Sequence, residues 1–196
     1  MRLQTHGRWP IVAAALVGPT WASAAARRGE LLGDGAWVAG LAFPILVTHQ
    51  SEEWVLPGGF LPFCNERLLG SDRPDWPLTE RDGFHVNVTM GWVSAVAGLA
   101  LWRRTPVVAA SVLWLEAGNV LMHTAMAVRE RRYNPGVATA ALLMAPHAAT
   151  GWRWLTRSGL VSRRQRRLAG AAGIAFAGLP LAMKARMRRA SNPARP

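Results

Sequence analysis

The sequence predicts an all-α protein, a polytopic membrane bundle of five or six transmembrane helices. The first observation is compositional: 51% of the 196 residues are hydrophobic, yet the formal net charge is +12. The second is where the charge lies, because the arginines stand between long apolar runs instead of following helix faces. The third is the length of those runs, since about 20 apolar residues cross a hydrocarbon core of about 30 Å. Apolar helices with cationic ends are typical of membrane spans.

The composition also excludes several classes of protein. The apolar fraction is too high for a disordered chain, and a single cysteine, Cys64, excludes a disulfide scaffold. The sequence pI of about 11.8 invites a nucleic-acid interpretation. That interpretation needs a basic surface interleaved with aromatic residues, or a recognisable binding module, and the sequence has neither. We therefore expect membrane lipid, and no nucleic acid, as partner, with the arginine clusters at lipid headgroups.

The N-terminal segment, residues 1–34, has two interpretations. Its apolar run predicts a first helix at 10–26. The same run follows two basic residues, Arg2 and Arg8, and ends near Ala22-Ser23-Ala24, a pattern that also fits a secretory signal peptide. We favour an uncleaved first transmembrane helix.

The membrane bundle is expected over residues 35–184. Apolar runs of suitable length predict its five helices, at 35–53, 85–102, 106–128, 136–156 and 167–184. The one substantial loop, 54–84, starts with an apolar stretch broken by Pro and Gly, which suits a segment lying at the membrane interface. Asn134 and Pro135 form a tight link into the following helix, Asn134 as cap and Pro135 in the first helical position. A basic tail at 185–196 is expected to be disordered.

A few ionisable residues fall within or at the ends of these helices, where charges are expensive and so mark functional candidates. His49, Glu52 and Glu53 end the second helix, and spacings of three and four place them on one face. Glu116, Asn119 and His123 form a stripe on the fourth helix. A histidine and a carboxylate one turn apart can both reach one metal ion, as in metal sites of helical bundles.

Alternation of the helices predicts that these groups meet. The second helix runs toward the membrane face at which it ends with His49, and the third helix leaves that face starting at His85. The fourth helix returns to it and carries His123 near its end. Glu116 lies about 10 Å deeper than His123, at 1.5 Å per residue. His147 lies three turns into its helix and stays outside the expected site.

Two motifs carry a resemblance to a known family. Residues His49-Gln50-Ser51-Glu52-Glu53 match H-x-x-E-E, and Asn119-x-x-x-His123 is followed by Tyr133-x-Pro135-Gly136. Over residues 36–156 the set resembles the HXXEE-domain family of small bacterial integral membrane proteins. The resemblance implies a location in the bacterial inner membrane and carries over these motif positions, but no biochemical role.

The site residues themselves suggest a metal-dependent membrane enzyme acting on a lipid-soluble or interfacial small molecule. We expect His49 and His123 as neutral imidazole ligands, with Glu52 and Glu53 as carboxylate ligands. One of these two glutamates could instead be catalytic, as a general base. Asn119, His85 and Glu116 would support the ligands from outside. Mixed histidine and carboxylate ligation suits iron, manganese or zinc.

Two other interpretations stay open. In the first, the chain is a non-enzymatic binding or transport component that uses the same polar cluster for a cation or a proton, with Glu116 extending the site inward. In the second, the polar residues only lock the packing of the helices.

Overall fold

The computed structural model describes residues 5–178, 182, 184–186 and 188–189, and in this part of the chain helices are joined by turns and loops, with no strand. The predicted all-α class is therefore confirmed. Most of the basic tail predicted to be disordered, 185–196, lies outside the described residues. Those of its residues that are described (185, 186, 188 and 189) are helical, which differs from the expectation.

The helices follow one another with short connections. Within the described residues they are α1 (Trp9–Ala26), α2 (Arg28–Gly33), α3 (Trp37–Gly40), α4 (Ala42–Trp54), α5 (Phe60–Phe63), α6 (Glu80–Phe84), α7 (Val93–Ala100), α8 (Val107–Glu130), α9 (Val137–Thr139), α10 (Ala145–Ser158) and α11 (Arg163–Ala177). Three π-helical segments extend or join them, namely Cys64–Leu68, His85–Trp92 and Ala140–Met144.

Each of the six helices expected from the apolar runs corresponds to helical structure in the described residues, with ends shifted by a few residues, and part of the last one, 167–184, lies outside those residues. Consecutive elements account for three of them, because α3 continues into α4, α6 into α7, and α9 into α10 across short breaks or π-helical segments. Two helices, α1 and α8, are long and apolar enough to cross a membrane by length and composition.

Helix α8 is the centre of the bundle and packs against α7, α10 and α11. Its contact with α11 is close because Gly173 faces Trp114, where an added Cβ would lie 2.9 Å from the Trp114 Cβ. Leu113 of α8 also joins the largest buried apolar cluster, together with Val38 and Leu155. The long α8 therefore supports residues from both halves of the chain.

The helices alternate in direction, so the two ends of the bundle collect different segments. At one end Asp34 pairs with Arg103 at 3.1 Å. At the other end Trp9 packs against Trp54, with ring centroids 5.0 Å apart, and residues 54–84 cover the C-terminal ends of α4 and α8.

Asn65 organises this covering segment. Its side-chain amide is fully buried and donates to the carbonyls of Pro74 and Leu78, both at 2.8 Å, while its Oδ1 accepts the Leu78 N–H at 2.8 Å. Beneath it, Phe60 and Met126 share an apolar cluster. One side chain thus satisfies the carbonyl of the exposed Pro74 and two backbone groups of the buried Leu78, which would otherwise have no partner.

We expect Asn65→Leu to lower the free energy of unfolding by at least about 2 kcal/mol, because each buried backbone group left unpaired costs about 1–3 kcal/mol. Thermal and chemical denaturation measure the change. Glu66→Gln, an exposed neighbour, is the matched control and should change stability little. Equal stability of Asn65→Leu and the unaltered chain would contradict this role.

Candidate metal centre

Three buried side chains from two helices meet at the covered end of the bundle. His49 and Glu53 lie one turn apart on α4, and His123 comes from α8. The Glu53 Oε1 atom is 3.4 Å from His49 Nε2 and 3.1 Å from His123 Nε2. One candidate ligand atom from each residue lies within 4.8 Å of the other two. These three predicted ligands are therefore brought together.

These separations are those expected of metal ligands. Imidazole and carboxylate ligands bind zinc at about 2.0–2.2 Å, so neighbouring ligand atoms of a tetrahedral site are about 3.4 Å apart. Both contacts of Glu53 are close to that separation. The cluster is thus sized for one ion.

The hydrogen bonds of His49 determine which of its ring nitrogens carries a proton. Its Nδ1 is 2.9 Å from the Thr139 hydroxyl oxygen. The hydroxyl hydrogen is directed to the acceptors around it, the Glu52 carboxylate at 2.5 Å or the Gly136 carbonyl at 3.3 Å. The hydroxyl oxygen therefore accepts from His49 Nδ1. In the neutral ring Nε2 is then a lone pair, and it is buried with no hydrogen-bond partner among the described residues.

His123 is fixed in the same way by Asn134. The Asn134 amide nitrogen donates to the His123 backbone carbonyl at 3.0 Å, which orients the amide, and its Oδ1 lies 2.7 Å from His123 Nδ1. Because this oxygen can only accept, His123 Nδ1 donates. The neutral ring then turns its Nε2 lone pair toward Glu53.

When both rings are neutral, three lone pairs converge, two from imidazoles and one from a carboxylate; the 3.1 Å contact of His123 Nε2 with Glu53 Oε1 is a hydrogen bond only when His123 carries a second proton. Such an arrangement is repulsive unless a positive charge lies among the atoms. A proton on one ring would relieve one contact, whereas a metal ion would satisfy all three. The ring nitrogens on the far side are held by Thr139 and Asn134, which is how proteins orient histidine ligands of metals.

Glu52, expected from the sequence as a metal ligand or catalytic base, has a different position. Its carboxylate accepts from the Tyr133 hydroxyl at 2.8 Å, from the N–H groups of Ala138 and Thr139 at 3.1 and 2.7 Å, and from the Thr139 hydroxyl. It therefore satisfies the N–H groups of the second and third residues of α9. Burial and the Glu52 charge raise the pKa of Tyr133 to about 12, so its hydroxyl remains a donor.

The three residues expected to support the ligands are not part of this cluster. His85 is exposed, and its ring lies 3.4 Å from the Thr89 hydroxyl. Asn119 borders a nearby cavity. Glu116 pairs with His147, which the sequence did not associate with the site, at 2.7 Å. Asn134 and Thr139 instead fill the orienting role that was expected for Asn119. In the sequence, only their position near Tyr133 and Gly136 of the second motif could have pointed to them.

A cavity of about 110 Å³ opens beside the cluster and is bordered by His49 and Glu53. Most of its other walls are apolar: Leu46, Val86, Met90, Val112, Leu115, Met122 and Met144. Cys64 also borders it, but burial, with the charge of Glu53, raises the pKa of its thiol to about 12. Cys64 is therefore a neutral thiol and not a thiolate ligand.

Comparison with known proteins gives one match. A family model described as "Protein of unknown function with HXXEE motif" matches residues 40–150, which is more than half of the chain. The matched range contains the three cluster residues together with Asn134 and Thr139. Neither a curated protein nor a solved structure matches the chain.

Gly136 closes the cluster and provides a test of its packing. Its φ is +97°, and an added Cβ would lie 2.6 Å from His123 Cε1 and 2.9 Å from His49 Cε1. Gly159 has a similar φ of +71° but nothing within 4 Å. A left-handed residue costs about 1–2 kcal/mol, and overpacking adds about 1–3 kcal/mol.

We therefore expect Gly136→Ala to destabilise the protein by about 2 kcal/mol more than Gly159→Ala does. Parallel unfolding measurements on the two variants check this difference. Equal losses would mean that the cluster is not closed by this glycine.

Proposed function

The chain belongs to the family of proteins of unknown function with an HXXEE motif, and from the geometry around that motif we propose that it is a metal-dependent membrane enzyme acting on a small apolar substrate. One observation carries the proposal. Candidate ligand atoms of three buried residues lie within 4.8 Å of one another, and hydrogen bonds on the far side of both imidazoles hold the two rings there.

The metal would be held by His49 and His123 through Nε2 and by Glu53 through its carboxylate. Three protein ligands leave at least one position open, as catalytic metal sites do, whereas structural sites are closed. The cavity lies on the side of His49 and Glu53, so the open position would face it. Iron, manganese and zinc all accept this ligand set. In this position the metal would act as a Lewis acid or activate a bound water.

The other residues of the motif would hold the ligands in place. Thr139 and Asn134 keep the two imidazoles in the tautomer that ligates, while Glu52 keeps Thr139 in position. Since all the hydrogen bonds of Glu52 go to the 133–139 segment, we assign it this positioning role. The apolar walls of the cavity favour a substrate that partitions into lipid.

A location in the membrane is supported by the outer surface of the bundle. Helix α1 is apolar on all sides and buries only Trp9 and Ala13. Large apolar side chains are also exposed on several other elements, among them Val93, Val96, Leu121, Val128, Leu142, Leu168 and Ile174. Soluble monomers rarely expose so much apolar surface. We propose that six helices span the membrane, with the metal site near one face.

Metal analysis tests the proposed site directly. The full-length chain, purified without chelators under reducing conditions, is expected to contain about one Fe, Mn or Zn ion per molecule. His49→Ala and His123→Ala should lose it, and Thr139→Val should weaken metal binding by about 10–100-fold because it frees the His49 ring. His85→Ala, an exposed histidine outside the cluster, is the control and should keep the metal. Unaltered protein that binds none of these metals would contradict the proposal.

Cysteine labelling tests the six-span topology. Asp72→Cys places a thiol in the 54–84 segment, and Arg104→Cys places one in the turn between α7 and α8, at opposite ends of the bundle. An impermeant maleimide applied to sealed vesicles should label one of the two, and both after lysis. The unaltered chain is the blank, since Cys64 is buried and protonated. Labelling of both variants from one side would contradict the topology.

A further inference from the structure

The cavity beside the metal centre has a second polar group, Glu116 of α8, which the proposed metal site does not use. The Glu116 side chain is about 5% exposed, and its Oε2 lies 2.7 Å from His147 Nδ1. Its other oxygen, Oε1, is buried with no hydrogen-bond partner among the described residues. Glu116 borders the cavity together with Asn119, one turn further along α8, and most of the other walls are apolar.

An unpaired buried oxygen is costly, and native structures rarely keep one without a reason. His147 cannot supply the missing contact, because its Nδ1 is already engaged with Oε2. A contact of 2.7 Å between nitrogen and oxygen requires a proton between the two atoms. The shared proton is bonded either to His147 Nδ1 or to Glu116 Oε2. In both cases Glu116 Oε1, when it carries no proton itself, can only accept a hydrogen bond.

We infer that Glu116 determines substrate specificity in this cavity and that the substrate is a small, largely apolar molecule whose hydroxyl or amine donates a hydrogen bond to Glu116 Oε1. The inference rests on the proposed function, since it takes the cavity to be the substrate pocket. Glu116 and His123 are two turns of α8 apart, about 10 Å along its axis. The donor bound at Glu116 is therefore separate from the atom that reacts at the metal centre, and Glu116 recognises the substrate instead of taking part in the reaction.

The volume of the cavity limits the size of the ligand. A dry apolar cavity of about 150 Å³ binds benzene, so a cavity of about 110 Å³ suits a molecule, or the end of a longer chain, of about six non-hydrogen atoms. Pentan-1-ol, pentylamine and 1-methoxybutane form a matched set of this size. The first two carry a donor, hydroxyl or amine, and the ether has only an acceptor.

Binding of these three probes to the purified full-length protein, measured by calorimetry and by the shift of the thermal midpoint, tests the inference. The unaltered chain should bind pentan-1-ol or pentylamine at least about tenfold more tightly than 1-methoxybutane, the difference expected when a buried acceptor is left unpaired by the ether. A preference for the alcohol alone or for the amine alone identifies which donor the substrate carries. Equal affinity for all three overturns the inference, without the need for any variant.

Glu116→Gln makes the test sharper because it reverses the hydrogen-bonding character of the site. Its amide carbonyl would accept from His147, and its NH₂ group would then face the cavity as a donor. We expect the preference for donor ligands to disappear and the ether to bind as well as the alcohol or better. Glu130→Gln, the same change at the end of the same helix, should keep the original preference. An unchanged preference in Glu116→Gln would overturn the assignment to this residue.

The metal-site variants separate this inference from the proposed function. His49→Ala removes a proposed ligand but leaves Glu116 and His147 in place, so the donor preference should persist in that variant. A chain that binds no metal but keeps a preference that depends on Glu116 would refute the metal enzyme and retain the specificity residue. A chain that binds metal but shows no donor preference would support the proposed metal site and refute the role of Glu116 in substrate recognition.

Discussion

The candidate metal centre depends on one buried carboxylate, that of Glu52, which ties α4 to the segment between α8 and α10. It receives two backbone N–H groups and the hydroxyls of Tyr133 and Thr139. This contact positions the Thr139 hydroxyl oxygen next to His49 Nδ1 and keeps Gly136 packed closely against the rings of His49 and His123. Without it, the position and tautomer of the His49 ring would be undetermined, whereas those of His123 depend on Asn134. The two adjacent glutamates of the motif therefore have different positions: Glu52 anchors the site, and Glu53 lies in it.

The π-helical segments explain why a tightly packed bundle has room beside this site. Each inserts a residue into a helical turn and widens it, and such segments are frequent at functional sites. Cys64, Asn87 and Met144 come from the three different segments, and all border the cavity. The local irregularity of the helices therefore lies where space for a ligand is found. The regular α8 provides the opposite wall and holds Glu116 and His123 at fixed heights.

Much of the fold and of the candidate site could be predicted from the sequence. Apolar runs indicate where the helices lie, and the spacing of residues along a helix indicates which of them share a face. The runs predicted six helical stretches, and the alternation of the helices predicted that His123 would approach His49 and Glu53. The same reasoning misplaced Glu52, since its i,i+3 spacing from His49 puts it on the right face but does not choose its partner. That partner is Thr139, 87 residues away, and only the tertiary fold brings it close. Asn134 was expected to be a helix cap, and its contact with His123 depends on the turn formed by residues 131–136.

The described part of the chain has two buried clusters of glutamate and histidine, one around Glu53 and one around Glu116, and their surroundings favour different chemistry. Glu53 faces two imidazoles whose protons are directed elsewhere, to Thr139 and Asn134, so only acceptors meet there and the site suits a cation. Glu116 faces one imidazole whose proton is directed at it, so that contact is satisfied and a single oxygen is left to accept from a neutral or cationic donor. The residue types are the same in both places. Hydrogen bonds to Thr139 and Asn134 on the far side of the His49 and His123 rings turn both Nε2 atoms toward Glu53. The His147 ring instead turns Nδ1 toward Glu116, and its Nε2 on the far side has no hydrogen-bond partner among the described residues. This difference is why we propose a metal at the first cluster and a hydrogen-bond donor of the substrate at the second.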